Sequence, residues 1–190
     1  MREKSAVNYV KSYLGIKPIF VIDPTLLIDK KYYLNIIKDY KQNSLIKEEK
    51  YIFTYLFGRQ KNIQKFIKYA SKKLGYKIYA VRQRDNNSIK KFIYGIANSN
   101  AVITNSFHGT VFSIMFKKPF ITFFLKNSPR ERFISLKNLL LIKGRFFKYN
   151  QKPDVKLLTT PLQIDIQFLN LLRNKSINYL KNNLGIIKKK

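Results

Sequence analysis

The sequence predicts an α/β domain built on a doubly wound parallel sheet. Five short runs rich in β-branched and aromatic residues lack the apolar–polar alternation of half-exposed strands, and amphipathic helical stretches lie between them. Buried strands that alternate with helices are typical of a parallel sheet covered on both faces. Because 190 residues suit one hydrophobic core, we predict a single Rossmann-like domain over residues 1–184.

Each element of this prediction comes from a local pattern. A helix opens the chain and is closed by Gly15, and a second glycine, Gly75, follows a lysine-rich helical turn as a C-terminal cap. A final helix is predicted near residues 163–184, and residues 185–190 form a basic tail. The predicted strands are residues 18–23, 51–57, 77–82, 101–105 and 119–125.

Composition excludes several classes of function. The chain has no cysteine and one histidine, which rules out disulfides, thiolate metal sites and multi-histidine zinc sites, so we expect no metal. No apolar run approaches the roughly 20 residues of a membrane span, and the N-terminus lacks a signal-peptide core. We therefore expect a cytoplasmic protein.

The net charge of +28 indicates anionic partners. Only eight of the 38 basic residues are arginine, the residue best suited to bidentate phosphate and base contacts, and the lysines are scattered along the chain. We expect no specific nucleic-acid binding. Peripheral contact with the anionic inner face of the membrane is a further expectation.

The single histidine lies in "AVITNSFHGTVFSIMF", where a predicted strand becomes a predicted helix. In a parallel sheet, ligands bind beyond the carboxyl ends of the strands, and a helix start there attracts anions. Asn105 and Ser106 offer hydrogen bonds, Gly109 admits a ligand to the backbone, and His108 exchanges protons near neutral pH. The alternative is that Asn105 or Ser106 only caps the helix and His108 is structural.

Basic residues form a second cluster after the next strand. Lys126, Arg130 and Arg132 follow it, and neighbouring strands place their carboxyl ends side by side, so this loop is expected to face His108. The alternative is a solvated basic loop. Arg2 is by composition an exposed helix charge.

The segment "TNSFHGTVFSIMFKKPF", together with "MREKSAVNYVKSYLG", "VIDPTLLID" and "SPRERFISLKNLL", resembles the polysaccharide pyruvyl transferase family. The resemblance extends with looser spacing from Arg2 to about Arg145. It implies the C-terminal domain of a two-domain enzyme of the glycosyltransferase-B type, with the N-terminal half missing.

The resemblance also implies a chemistry. Family members transfer the enolpyruvyl unit of phosphoenolpyruvate to a sugar hydroxyl pair as a ketal in cell-surface polysaccharide synthesis. Phosphoenolpyruvate would be the donor substrate without a cofactor, and a sugar or lipid-linked oligosaccharide the acceptor. The resemblance implies that His108 is the catalytic general acid. The substrate-binding residues would be Arg2, Asn105, Ser106, Gly109, Lys126 and Arg130.

Other functions stay open at this point. The same fold serves glycosyltransferases that use nucleotide-sugar donors, because fold does not fix function. A non-catalytic fragment and a basic module that binds anionic lipid or nucleic acid are the remaining alternatives.

Overall fold

The β-rich runs form one parallel sheet in the computed structural model, which describes residues 1, 3–40, 49–82, 88–126 and 129–185. The strand order is β2-β1-β3-β4-β5, and each neighbouring pair is parallel. The strands are β1 (Tyr51–Tyr55), β2 (Lys77–Val81), β3 (Ala101–Thr104), β4 (Phe120–Phe124) and β5 (Phe146–Lys148).

The helices alternate with the strands from β1 to β4. Helices α4 and α5 connect β1 to β2 and β2 to β3, and α6 connects β3 to β4. The helices are α1 (Lys4–Leu14), α2 (Pro24–Leu27), α3 (Lys30–Ile36), α4 (Lys61–Leu74), α5 (Ser88–Asn98), α6 (Phe107–Met115), α7 (Glu131–Leu139) and α8 (Ile166–Asn183), with a short 3-10 turn at Val155–Leu158.

The chain divides into two compact units. One, called unit 1 below, comprises Met1–Asp29, Pro129–Ile142 and Ile164–Lys190; the other, unit 2, comprises Lys30–Ser128 and Lys143–Gln163 and contains the whole sheet. The single domain over residues 1–184 stays a prediction, because compact units are not by themselves independently folding domains. Of the predicted basic tail, residues 186–190 lie outside the described residues.

One face of the sheet is covered by α4. This helix carries apolar residues at positions 63, 66, 67 and 70, the spacing that places them on one side. They pack on the strands to form a buried apolar cluster that also includes the 3-10 turn. Its members include Ile52, Ile63, Phe66, Ile67, Ala70, Ile103, Ile121, Phe123 and Leu158.

Helices α5 and α6 cover the opposite face. Gly95, in the middle of α5, is buried there, and a Cβ on it would lie 2.3 Å from the Phe53 ring. The hydroxyl of Tyr51 donates a hydrogen bond to the Gly95 carbonyl at 2.9 Å, and burial raises the pKa of Tyr51. With helices on both faces of a parallel sheet, the predicted doubly wound, Rossmann-like fold class is confirmed.

Arg145 fixes the chain beyond β5. Its side chain donates hydrogen bonds to the Leu157 carbonyl and, at 2.9 and 3.4 Å, to the carbonyls of Thr160 and Pro161. Arg145 is buried, and the loss of solvation lowers its pKa. The side chain therefore anchors the segment that contains the 3-10 turn.

The predicted strand at residues 18–23 is wrong. Within the part of the chain that the structure describes, no strand pairs with this segment. The Val21 N–H donates to the Met1 carbonyl at 2.8 Å, and the Ile22 N–H donates to Ser176 Oγ at 3.1 Å. The helices at both ends of unit 1 are confirmed, including the cap at Gly15, whose φ is +65°.

Candidate functional site

The carboxyl ends of β1 and β3 meet at the point where the strand order changes direction. Strand β2 lies on one side of β1, and the chain then returns to form β3 on the other side of β1. This reversal leaves a crevice typical of ligand sites in this fold. Thr104, the last residue of β3, joins the two strand ends. Its hydroxyl donates to the Tyr55 carbonyl at 2.6 Å and accepts from the Ser106 N–H at 3.0 Å.

Asn105 ties the loop after β1 to the turn after β3. Its Oδ1 accepts from the Phe57 N–H at 2.8 Å, and its Nδ2 donates to the Phe57 carbonyl at 3.0 Å. The Asn105 side chain is buried. Its amide therefore forms two hydrogen bonds with the Phe57 backbone away from solvent, as the backbone of a neighbouring strand would. Asn105 therefore has a structural role, and its contact with a substrate stays a prediction.

Ser106 is the cap of α6, one of the two residues that the sequence offers for that role, and its contact with a substrate stays a prediction. Its Oγ accepts from the Gly109 N–H at 3.3 Å. Gly109 has a packing role in the structure, and the approach of a ligand to its backbone stays a prediction. A Cβ at Gly109 would lie 2.5 Å from Thr104 Oγ1, so the glycine lets α6 pack directly on β3.

Buried hydroxyls hold the rest of α6 in place. Thr110 Oγ1 donates to the Ser106 carbonyl at 3.0 Å and lies 2.7 Å from Thr122 Oγ1 on β4. Because a hydroxyl has one hydrogen, Thr122 is then the donor in the second bond. Ser113 Oγ donates to the Gly109 carbonyl at 2.7 Å. The helix is thus hydrogen-bonded to both its own turn and the sheet.

His108 is the exception in this helix. Eight of the nine residues of α6 are buried, whereas His108 is exposed. It is the second residue after the Ser106 cap, at the positive end of the helix dipole, and its ring meets the Phe107 ring edge-on at 5.7 Å. The only histidine of the chain is therefore exposed at the carboxyl edge of the sheet, on a helix whose other residues are buried.

The predicted basic residues are distributed differently. Lys126 is exposed two residues beyond β4, at the same edge as the His108 turn. Arg130 belongs to unit 1, where it is half-buried at the start of α7, and Arg2 lies outside the described residues. Their place in one site with His108 stays a prediction.

Sequence reasoning missed a cleft of about 910 Å³ at the ends of β1 and β2, which we call the cationic cleft. Among the described residues that line it, none carries a carboxylate. Gly58 and Arg59, which directly follow Phe57, form the rim of this cleft. Because Asn105 binds the Phe57 backbone, it holds the rim beside the turn from Asn105 to Gly109. The signal in the sequence is Gly58 and Arg59 between a strand and a helix. The lining residues are Thr54, Leu56, Gly58, Arg59, Gln64, Ile67, Lys68, Ile78, Ala80, Val81 and Arg82.

A family model described as polysaccharide pyruvyl transferase matches residues 1–124. The chain belongs to this family. The matched part of this pyruvyl transferase family member includes the turn from Asn105 to Gly109 and ends just before Lys126. The family is one of transferases.

The structure of ADP-heptose LPS heptosyltransferase II from E. coli is similar to this pyruvyl transferase family member at a TM-score of 0.36 and 12% sequence identity. The match covers 85% of this chain and 55% of the heptosyltransferase chain. No curated protein matches the chain. Across the described ranges, no helix is both long and apolar enough to span a bilayer.

Proposed function

We propose that this pyruvyl transferase family member transfers the enolpyruvyl unit of phosphoenolpyruvate to two hydroxyls of a sugar, forming a cyclic ketal during polysaccharide synthesis. The observation that carries the proposal is the exposed His108 in the first turn of a helix that is otherwise buried. The family match supports the class of reaction.

His108 is the general acid of this reaction. The imidazolium gives a proton to the methylene carbon of phosphoenolpyruvate, and the positive charge that develops on the neighbouring carbon is attacked by the first sugar hydroxyl. The carbon–oxygen bond to phosphate breaks, phosphate leaves, and the second hydroxyl closes the ring. Of the two hydroxyl protons released, one restores His108 and the other leaves on hydrogen phosphate.

The donor is an anion with a carboxylate and a phosphate, so its site requires several cations and N–H donors. The helix start at His108 supplies a positive dipole end, and Lys126 lies at the same edge. Arg59 at the rim of the cationic cleft is a further candidate, because Asn105 holds that rim beside the turn. Arg130 and Arg2 are further candidates for binding the donor. Phosphoenolpyruvate already carries the activated group, so the proposal includes no cofactor.

A thermal-shift titration tests the donor. Phosphoenolpyruvate at about 100 times its Kd is expected to stabilise the folded chain by about 2.7 kcal/mol, since it binds only that state. A UDP-sugar is the comparison ligand, and protection by the UDP-sugar alone would favour a glycosyltransferase.

Substitutions locate the anion site. Lys126→Ala and Arg130→Ala are expected to weaken phosphoenolpyruvate binding, and the exposed Lys126→Ala should change stability by less than about 0.5 kcal/mol. Lys72→Ala, on the exposed side of α4, removes the same charge and should leave donor affinity unchanged. If both site variants bind as wild type does, the anion site lies elsewhere.

A further inference from the structure

A groove of about 640 Å³ runs along the outer side of α4, in unit 2 and apart from the cationic cleft. We call it the tyrosine groove. One wall comes from α4 and the other from the loop that follows β5. Its walls carry Asn62, Lys65, Tyr69, Asn150, Gln151 and Lys152.

The α4 wall is a regular stripe. Asn62, Lys65 and Tyr69 are spaced by three and four residues, so they lie on one side of the helix. All three are exposed, and the Tyr69 side chain is 55% accessible to solvent. The Lys73 ammonium lies over one face of the Tyr69 ring, 5.8 Å from its centre, and the other face is a platform on which an apolar face of a ligand can stack.

The opposite wall is preformed. The Lys148 N–H donates to Gln151 Oε1 at 2.6 Å, and the Gln151 N–H donates back to the Lys148 carbonyl at 3.0 Å, which closes a tight turn. This turn fixes the backbone that carries Asn150 and Lys152. Buried Phe66 and Pro153 form the apolar floor between the walls.

These groups suit one class of ligand. The C–H face of a sugar ring packs on an aromatic ring or an apolar floor, and side-chain amides both donate to and accept from sugar hydroxyls. Lys65 and Lys152 add one ammonium group to each wall, which favours a sugar that carries a carboxylate. A pyruvate ketal is such a carboxylate, attached directly to a sugar ring.

We infer that the tyrosine groove binds a pyruvylated sugar, the product of the transfer, as an anchoring site distinct from the reaction site. The inference rests on the proposed function, which supplies the ketal. α4 begins beyond the carboxyl end of β1, and the loop follows the carboxyl end of β5, so the groove opens at the edge of the sheet where His108 lies. A modified stretch of polysaccharide bound here stays attached while the next acceptor unit is engaged.

The test is a titration of the ¹⁵N-labelled 190-residue chain followed by NMR. The probe is methyl 4,6-O-(1-carboxyethylidene)-β-D-galactopyranoside, and methyl β-D-galactopyranoside is the comparison without the ketal. The ketal is expected to shift the amide signals of Asn62, Tyr69 and residues 150–152, with at least about fivefold tighter binding than the plain glycoside. Equal affinity for the two probes would overturn the inference.

Variants separate the groove from general attraction to a basic chain. Tyr69→Ala is expected to weaken ketal binding about 3- to 10-fold, the loss of one aromatic contact, whereas Tyr69→Phe should retain it. Lys152→Gln should weaken it by a similar factor, while Lys90→Gln, an equal charge loss at an exposed position of α5 on the opposite face of the sheet, should not. The same loss in both lysine variants would mean non-specific electrostatics and would overturn the inference.

A separate titration with phosphoenolpyruvate distinguishes this inference from the proposed function. Phosphoenolpyruvate should shift the amides from Asn105 to Gly109 and leave the groove unaffected. If it shifts nothing there while the ketal still binds the groove, the proposed function fails and the groove stands as a site for acidic sugars. If phosphoenolpyruvate binds and the ketal does not, only the groove is excluded.

Discussion

The two faces of the sheet are built by different means. On the α4 face, aliphatic and aromatic side chains of the helix pack on the strands, and only four of the fourteen residues of α4 are buried. On the α5–α6 face, glycines bring helices against strands, and buried hydroxyls connect them. Apolar packing tolerates small shifts, whereas hydrogen bonds and close backbone contacts fix one register. His108 belongs to the face with the fixed register.

The largest expected effect comes from the one exposed residue of α6. His108→Asn keeps a hydrogen-bonding side chain but removes the proton donor, so pyruvyl transfer should fall by about 10²–10⁴-fold while stability stays within about 1 kcal/mol of wild type. Turnover is measured as phosphate release from phosphoenolpyruvate with a polysaccharide acceptor. Full turnover in the variant would make His108 structural.

Close packing of α6 on β3 predicts the next largest effect. Gly109→Ala places a methyl group 2.5 Å from Thr104 Oγ1, and we expect it to lower the free energy of unfolding by about 1–3 kcal/mol, even though alanine favours helix. Asn62→Ala, at an exposed position of α4, is the control and should change stability by less than about 0.5 kcal/mol. Urea denaturation measures both. Equal free energies of unfolding for Gly109→Ala and Asn62→Ala would contradict the proposed difference between the two faces of the sheet.

The hydroxyl pair between α6 and β4 predicts a non-additive effect. Thr110→Val leaves the buried Thr122 hydroxyl without its Thr110 partner and should cost about 1–2 kcal/mol, whereas Thr122→Val should cost less because the Thr110 hydroxyl keeps its bond to the Ser106 carbonyl. The double variant should cost clearly less than the two single costs combined, because it leaves neither group stranded. A double-mutant cycle by chemical denaturation measures the coupling, and simple additivity would show that the contact contributes nothing of its own.

The smallest effect concerns Tyr51 and depends on pH. Burial and the neighbouring Tyr94 and Tyr79 raise the pKa of Tyr51 in the folded state, so its contribution to stability is complete below the ordinary tyrosine pKa near 10 and is lost as pH rises above it. Tyr51→Phe should cost about 1 kcal/mol at pH 7, through the lost bond to Gly95. By pH 11 that difference should shrink by about 1 kcal/mol. A constant difference from pH 7 to pH 11, measured by urea unfolding, would contradict the predicted ionisation.

Local patterns in the sequence were sufficient to predict β1 to β4, the α4 and α8 helices and the Ser106 cap. The segment at 18–23 has the composition of a strand, but Ile22 is buried in unit 1 and its backbone N–H donates to Ser176 Oγ, 154 residues away, instead of to a neighbouring strand. The strand β5 is three residues long and follows a glycine at φ +66°, too short for a periodic signal.

The candidate site was predictable only in part. The position of His108 beyond a strand end follows from the pattern of the sequence. The bond between Asn105 and the Phe57 backbone joins residues 48 positions apart, so no local pattern reveals it. For the same reason the cationic cleft emerges only when the sheet brings together its cations, which come from the loop after β1, from α4 and from the residue after β2.

The division of the chain into two units has a consequence for chain entropy. Both ends of the chain, Met1–Asp29 and Ile164–Lys190, belong to unit 1, together with Pro129–Ile142. The ordering of unit 1 therefore closes the two segments of unit 2, Lys30–Ser128 and Lys143–Gln163, into loops. Closing a loop removes conformations from the unfolded segment inside it and thereby raises that segment's stability. The connectivity of the chain thus couples the stabilities of the two units. A substitution that destabilises the helices at the chain ends, remote from His108 in sequence, should then also lower the stability of the sheet.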